Sequence, residues 1–506
     1  MPSVKGHETT GWGCRVGRQS NPRAPGIGVA DRDEGDLPPR VSVAVVMLFA
    51  VAVSSFSGPE AALSSVTRPS KRIGGSPVVP LTDPRNTPRT VEQVHLTGGS
   101  TDSVHVCWAS NDTELLASVV QLSEAGSGYW TDVAGGYGGI YSALQDPSPY
   151  YPATTPTCKG GSNYTDPECY YTSSVLHSVE LTGLNPSTVY QYRIKGDPSS
   201  RVFNFTTPPA AGSPSIRFGV TADLGQTLNS TSTVNNMLEA VRNKSIDAVL
   251  FGGDLSYADG DHYRWDSWAR MYEPLWSAVP SAHTGGNHEV SSGGENWLAY
   301  SRRFPNAHLR AGSSSFLWYS FEAGPAHVVM LCSYAAFDGT SAQYKWLQRD
   351  LKSVDRTKTP WLLVVLHTPW YTSNAHHPMS EGAEMRVAME PLLLANGVDL
   401  VINGHVHAYE RTHPAAGGGL APPGAPGIPH ITIGDGGNRE HFALPWVDEQ
   451  PSWSALREYA YGWGTLFLNT THMVWEFLRN DDPWNPPGGR VGDRAVYTKA
   501  KAFASR

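Results

Sequence analysis

Two rhythms of apolar residues divide the chain. In the first, apolar positions alternate with polar ones: Val104, Val106 and Trp108, then Tyr190, Tyr192 and Ile194. Alternate residues of an extended segment share one face, so each run predicts a half-buried strand. Between the two runs, residues 126–173 are rich in Gly, Tyr and Pro without a period, which predicts a large surface loop or insertion. After Gly212 the rhythm changes. Short apolar runs at Arg217–Thr221, Ala248–Phe251, Trp361–Leu366 and Asp399–Ile402 read as buried strands. Helical spacing separates them: Val234, Leu238 and Val241, then Gln343–Val354 and Met385–Ala395. Strands alternating with helices predict an α/β domain. The Gly/Pro tract from Ala415 to Pro429 predicts a flexible loop.

The alternating region has a further sign. Leu184-Asn185-Pro186-Ser187-Thr188-Val189-Tyr190 resembles the turn into a late strand of fibronectin type III domains, where a tyrosine anchors a corner. Thr206-Thr207-Pro208-Pro209 closes the region. The predicted organisation is an N-terminal extension with a signal-like segment (1–58), a Ser/Pro/Arg/Thr-rich linker (59–89), an all-β sandwich (90–209), an α/β catalytic domain (215–482) and a C-terminal tail (483–506). In the extension, the apolar run Val41–Val53 follows Arg40 and precedes small residues. It is shorter than the ~20 residues of a membrane span and has the length of a signal-peptide core. No stable membrane insertion is expected, and the chain is expected to be secreted, or held in the secretory pathway or vacuole.

Composition narrows the classes. At 40% hydrophobic and 17% charged, the 506 residues can bury more than one core. A net charge of −8 leaves no basic footprint, so nucleic acid is not an expected partner. Six Asn-x-Ser/Thr sequons, at Asn111, Asn163, Asn204, Asn229, Asn243 and Asn469, agree with a secretory route. Cys158 and Cys169 flank a Gly/Asn/Pro loop and could pair, but Cys107, Cys158, Cys169 and Cys332 leave the connectivity open.

The chemistry sits just past the predicted strands. Asp223 follows the first, and Asp254 and Tyr257 follow the second. Asn287 and His288 lie in Gly-Gly-Asn-His-Glu, His367 ends the Leu-Leu-Val-Val-Leu run, and His405 and His407 lie in Gly-His-Val-His. Ligands bind at the carboxyl ends of strands in open α/β sheets. Oxygen and imidazole donors gathered there suit iron, manganese or zinc. Any one of these pieces could cap a helix or turn a loop. Five in order are hard to explain without a metal site.

Asp223-Leu224-Gly225, Gly253-Asp254-Leu255-Ser256-Tyr257, Gly286-Asn287-His288-Glu289, Val364-Val365-Leu366-His367 and Gly404-His405-Val406-His407 resemble the metal-binding blocks of purple acid phosphatases, most closely the large plant-type enzymes. Stretches such as Arg264-Trp265-Asp266-Ser267-Trp268 and Gly434-Asp435-Gly436-Gly437-Asn438 extend the resemblance over about Val91 to Asp482. It implies a fibronectin type III-like domain before a metallophosphoesterase domain, a β-sheet sandwich flanked by helices. General metallophosphoesterases have Asp-x-His, but here Gly225 stands at the histidine position, and Tyr257 would supply the missing ligand. By motif position, Asp223, Tyr257 and His407 would bind iron(III), and Asp254 would bridge. Asn287, His367 and His405 would complete a second site for zinc, manganese or iron(II).

The implied activity is an acid phosphatase that hydrolyses phosphate monoesters by metal-activated hydroxide attack. Its expected partner is a phosphorylated small-molecule substrate. His288, His376 and His377 would bind phosphate and protonate the leaving group. A phosphodiesterase, nucleotide pyrophosphatase or phytase could use the same ligands, and a non-catalytic secreted binding glycoprotein is the reading from another class. The β-domain is expected to support the catalytic domain or a homodimer interface. Two departures from the family pattern matter. Ala222 replaces a glycine, predicting a modest backbone shift, and Trp463 stands where a histidine is usual, predicting an altered pocket wall.

Overall fold

The computed structural model describes residues 65–68, 77–98, 100–111, 117–144, 170–290, 296–481 and 490–499. The described residues belong to one compact unit. The signal-like run, Cys158, Cys169 and the Asn163 sequon lie outside the described residues. No helix among the described residues is long and apolar enough to cross a membrane.

Two large sheets face each other. One has nine strands and the other eight. Phe218, Val220 and Leu250 from the first meet Val328, Leu363, Val365 and Ile402 from the second in a fully buried layer. Full burial of each such side chain stabilises the fold by about 1.5–3 kcal/mol. Helices cover both outer faces. Val234, Met237, Trp265 and Trp268, from the helices Leu228–Arg242 and Tyr263–Trp276, pack on Val249 and Phe251. On the other side Trp346, Leu351, Met389 and Leu393, from Ala342–Ser353 and Ala383–Ala395, pack on Leu362, Val364 and Val401. Strands buried on both faces are apolar throughout, which is why Ala248–Phe251, Trp361–Val365 and Leu400–Asn403 were legible as short runs.

The N-terminal region is a β-sandwich followed by the α/β domain, but the two share a sheet. Val91–Thr97, Ser103–Ser110 and Val175–Thr182 continue the nine-stranded sheet, joined where Thr97 pairs with Ser281. Phe203–Thr206, Val189–Ile194, Ala117–Glu124 and Thr131–Tyr137 form the facing sheet. The tyrosine corner is present: the Asn185 amide donates to the Tyr190 hydroxyl at 2.9 Å.

Four stretches differ from the sequence reading. Residues 126–173 are not simply a loop, because they contain Thr131–Tyr137, Ser142–Leu144 and Tyr170–Thr172. The expected linker supplies an edge strand, Val66–Arg68, and a short helical turn at Pro84–Asn86. In the Gly/Pro tract, Ala415–Ala416 pairs with Gly419–Leu420. The expected tail forms the strand Val491–Thr498 at the edge of the nine-stranded sheet. Its charged residues hid it, yet Asp493 is buried against Arg411 and the Tyr409 hydroxyl.

Candidate dinuclear metal centre

The parallel strands of both sheets deliver their C-terminal loops to one place. Ser215–Thr221 and Ala248–Phe251 lie side by side in one sheet, and Trp361–Val365 and Leu400–Asn403 lie side by side in the other. Asp223, Asp254 and His405 all adopt positive φ, at 52°, 53° and 70°. Such left-handed residues turn the chain sharply as each strand ends. Gly404 is required here, since a Cβ on it would strike the Asp223 carboxylate and the Ala222 methyl. Ala222 itself is tolerated because Gly252 and Gly404 face it without side chains.

The predicted donors form two groups. In the first, the Tyr257 hydroxyl lies 3.1 Å from Asp223 Oδ1 and 2.9 Å from His407 Nε2, with His407 Nε2 3.5 Å from Asp223 Oδ1. In the second, His367 Nε2 lies 3.1 Å from Asp254 Oδ2 and 3.2 Å from Asn287 Oδ1, and His405 Nδ1 lies 2.9 Å from Asn287 Oδ1. Donors bound at ~2.1 Å to one ion are separated by roughly 3.0–3.4 Å, so both groups have the spacing of a coordination shell. The imidazole tautomers also fit. His367 Nδ1 donates to the Gly252 carbonyl at 2.8 Å and His407 Nδ1 donates to the His441 carbonyl at 3.1 Å, which leaves each Nε2 as the free lone pair. His405 is reversed: its Nε2 lies 2.9 Å from Glu381 Oε2, so Nδ1 faces the centre. Asp254 directs Oδ2 at His367 while Oδ1 accepts the His288 amide at 2.9 Å.

Electrostatics follow from burial and charge. Burial opposes ionisation of Asp254, but the His367 and His288 imidazoles hold its pKa far below the usual carboxylate range. Burial and the Asp223 and Asp254 charges push the Tyr257 phenol well above its ordinary value. His288 is half-buried, which opposes its charge, yet Asp254 and Glu440 raise it to about 9. Burial, helped by His405, lowers His377 to about 4.

The three predicted histidines are not equivalent. The His288 ring lies 4.1 Å from the Tyr257 ring, and its Nδ1 is 2.5 Å from Asp259 Oδ1. The His377 ring is 4.6 Å from His405 and 6.4 Å from His407. His376 is exposed and stands perpendicular to His377 at 4.7 Å. Asn374 orders this pair, its Oδ1 accepting both backbone amides at 2.9 Å. Trp463 is not on the pocket wall. It is 1% exposed and packs with Leu224 and Val234 in the layer beneath the helices.

Several residues of the site were not assigned from sequence. Glu289 accepts the amides of Asp254, Leu255 and Gly286 at 2.8–3.0 Å, and so fixes the turn that carries the Asp254 carboxylate. Asp259 and Glu440 flank His288, and Arg439 pairs with Asp259 and donates to the Tyr257 carbonyl. Glu289 closes the Gly-Gly-Asn-His-Glu motif, and a charge three residues after the glycine pair was the available signal. Glu440 lies far along the chain, with no local pattern to mark it.

Facing sheets with outer helices, and two donor groups on the strand-end loops, define a calcineurin-like phosphoesterase. The family model of that description matches residues 216–409. Two further models match, the purple acid phosphatase N-terminal domain at 91–207 and the iron/zinc purple acid phosphatase-like protein C at 427–491. Purple acid phosphatase 18 of Arabidopsis thaliana is 38% identical over 395 residues, 77% of this chain and 82% of the relative. A phosphoenolpyruvate phosphatase of Allium cepa is 42% identical over 356 residues, 66% of this chain and 72% of its own. A purple acid phosphatase structure from yellow lupin seeds shares the fold at a TM-score of 0.65 and 21% identity, covering 81% of this chain and 74% of that one. The chain belongs to the purple acid phosphatase family and is a metal-dependent acid phosphatase.

Proposed function

We propose that this phosphatase hydrolyses small phosphate monoesters at an iron(III)–divalent centre. Asp223, Tyr257 and His407 would hold the iron, Asn287, His367 and His405 would hold zinc, manganese or iron(II), and Asp254 would serve both. The observation that carries the reading is the Tyr257 hydroxyl within 3.1 Å of Asp223 Oδ1 and 2.9 Å of His407 Nε2, where Gly225 supplies no side-chain donor. A buried phenol whose ordinary ionisation is suppressed would release its proton to solvent only when a strongly polarising cation takes the proton's place on the oxygen, which favours a trivalent ion. Bound there, the ions would supply Lewis acidity and an acidified water as the nucleophile.

The chain's own residues supply the rest. His288, held between Asp259 and Glu440, presents positive charge to an incoming phosphate. His377, next to His405 and His407, is placed to protonate the leaving alkoxide, with His376 on its outer side. The onion relative's name makes phosphoenolpyruvate one monoester to try. The signal-like run supports secretion, and the exposed sequons Asn111, Asn204 and Asn243 support glycosylation.

The test is to express the chain from about residue 59 in a secretory host, then assay metal content and p-nitrophenyl phosphate hydrolysis across pH. Two metals per chain including iron, with turnover best in acid, are expected. A folded protein that binds two zinc ions and no iron would overturn the iron assignment. A folded protein with neither metal nor turnover would overturn the whole reading.

A further inference from the structure

The segment that carries Tyr257 is strained. Tyr257, Asp259 and Gly260 adopt φ of 53°, 49° and 87°, so three of four consecutive residues are left-handed. In each such residue with a Cβ the side chain crowds the backbone, so the conformation persists only when its surroundings impose it. One end of the segment is imposed by the site itself, through Tyr257 on Asp223 and His407. Arg439 adds a pair to Asp259.

The other end is held by the N-terminal sandwich. Tyr141 and Tyr171 lie at the base of the hairpin formed by Ser142–Leu144 and Tyr170–Thr172, and both are buried. The Tyr171 ring stacks on His262 at 5.4 Å and meets Tyr263 edge-on at 5.2 Å. Its hydroxyl donates to Asp266 Oδ2 at 2.9 Å. Arg303, itself buried, lies 2.9 Å from Asp266 Oδ1 and 3.1 Å from the Tyr171 hydroxyl. The Tyr141 ring contacts His262 at 5.6 Å. A buried ion pair with shared hydrogen bonds resists displacement, because losing one partner strands a charge. From this clamp the chain runs back through the Arg264-to-Asp261 and Asp261-to-Ala258 amide bonds, both 2.9 Å, to Asp259. Asp259 holds His288 Nδ1 at 2.5 Å.

We propose that Tyr171 is a positioning residue for phosphate binding: the sandwich, through Tyr171 on His262 and Asp266, sets the loop that orients His288. The proposal rests on the reading that His288 faces the substrate. It makes the N-terminal domain part of the specificity apparatus and not only a support.

A double-mutant cycle on the metal-loaded, full-length protein tests it, using Tyr171→Leu, His288→Ala and the pair, assayed well below the unfolding temperature. Metal content and the visible absorption band, which report Tyr257, should stay unchanged in all three. Tyr171→Leu should lower kcat/KM for a monoester by about 10-fold, mostly through KM, as expected of a displaced orienting group. In the His288→Ala background it should have no further effect, since residues acting in series are not additive. Tyr171→Phe, which keeps the ring stack, should recover part of the loss. If Tyr171→Leu does not accumulate, Tyr171→Phe carries the cycle with a smaller, about threefold, effect. A large His288→Ala effect with an additive or absent Tyr171 effect overturns the positioning role alone. An unaffected His288→Ala enzyme overturns the role assigned to His288, and the positioning role with it.

Discussion

Tyr257 shows how one side chain can separate a family from its superfamily. Its hydroxyl reaches Asp223 and His407, whereas Gly225 offers no donor and packs so closely on Asn438 that a Cβ there would strike it. Tyr257→Phe should abolish the visible charge-transfer band and leave the fold intact, and a coloured variant would refute the iron–phenolate assignment. Glu289 is the opposite kind of residue, one that holds structure without facing substrate. Its carboxylate accepts three buried amides. Glu289→Ala would leave them without an acceptor, at about 1–3 kcal/mol each. We expect a loss of roughly 3–9 kcal/mol by urea unfolding together with metal loss. Glu289→Gln, which keeps one acceptor oxygen, should lose less. A Glu289→Ala protein with an unchanged midpoint would mean that water replaces the carboxylate.

At the scale of elements, helix and strand ends decide what can be built or modified. The turn before Asn287 needs glycine, because a Cβ on Gly286 would collide with the Asp254 carboxylate. Gly286→Ala should therefore fold with less than the full metal complement, read by metal analysis. Sequons divide the same way. Asn229 is 1% exposed in the first turn of Leu228–Arg242, whereas Asn243 is exposed just past its last turn. Glycopeptide mapping of secreted protein should find sugar on Asn243 and none on Asn229. His327, on the strand Ala326–Met330, links it to the helix Ala342–Ser353 through Asp350 at 3.0 Å. Burial opposes its protonation, but Asp350 and Glu322 prevail and raise its pKa to about 9. A raised folded pKa stabilises fully below the unfolded value near 6.5, and the contribution fades as pH climbs towards 9. His327→Gln should thus lose on the order of 2 kcal/mol at pH 5–6 and little above pH 9. A gap that widens with pH would contradict this.

At the scale of the molecule, the centre joins loops from both large sheets, so binding of ions ties the sandwich together. Ions that bind only the folded chain add stability by mass action, about 4 kcal/mol at a free concentration a thousandfold above Kd. Chelation should lower Tm by several degrees and abolish turnover, and restoring iron with zinc or manganese should reverse both. Equal Tm values for loaded and stripped protein would show that the loops are preformed independently of metal.

Strands buried on both faces, the tyrosine corner, and the donors placed two to six residues after the strand ends were all legible in the chain, because each depends on neighbours close in sequence. Asp223, Asp254, Tyr257, Asn287, His367, His405 and His407 could be nominated from such local patterns, and so could the β-sandwich and the α/β rhythm. The strand Val491–Thr498 could not, since its buried charge, Asp493, is satisfied by Arg411 and Tyr409 from another sheet. Nor could the Asp259–His288–Glu440 group, the nitrogen that each histidine turns to the centre, or the grip of Tyr171 on Asp266. Those depend on residues far apart in sequence meeting across the fold. The sequence by itself determined which donors exist and where each strand releases them. The tertiary structure decided which donors stand together, which atom each presents and what holds them in place.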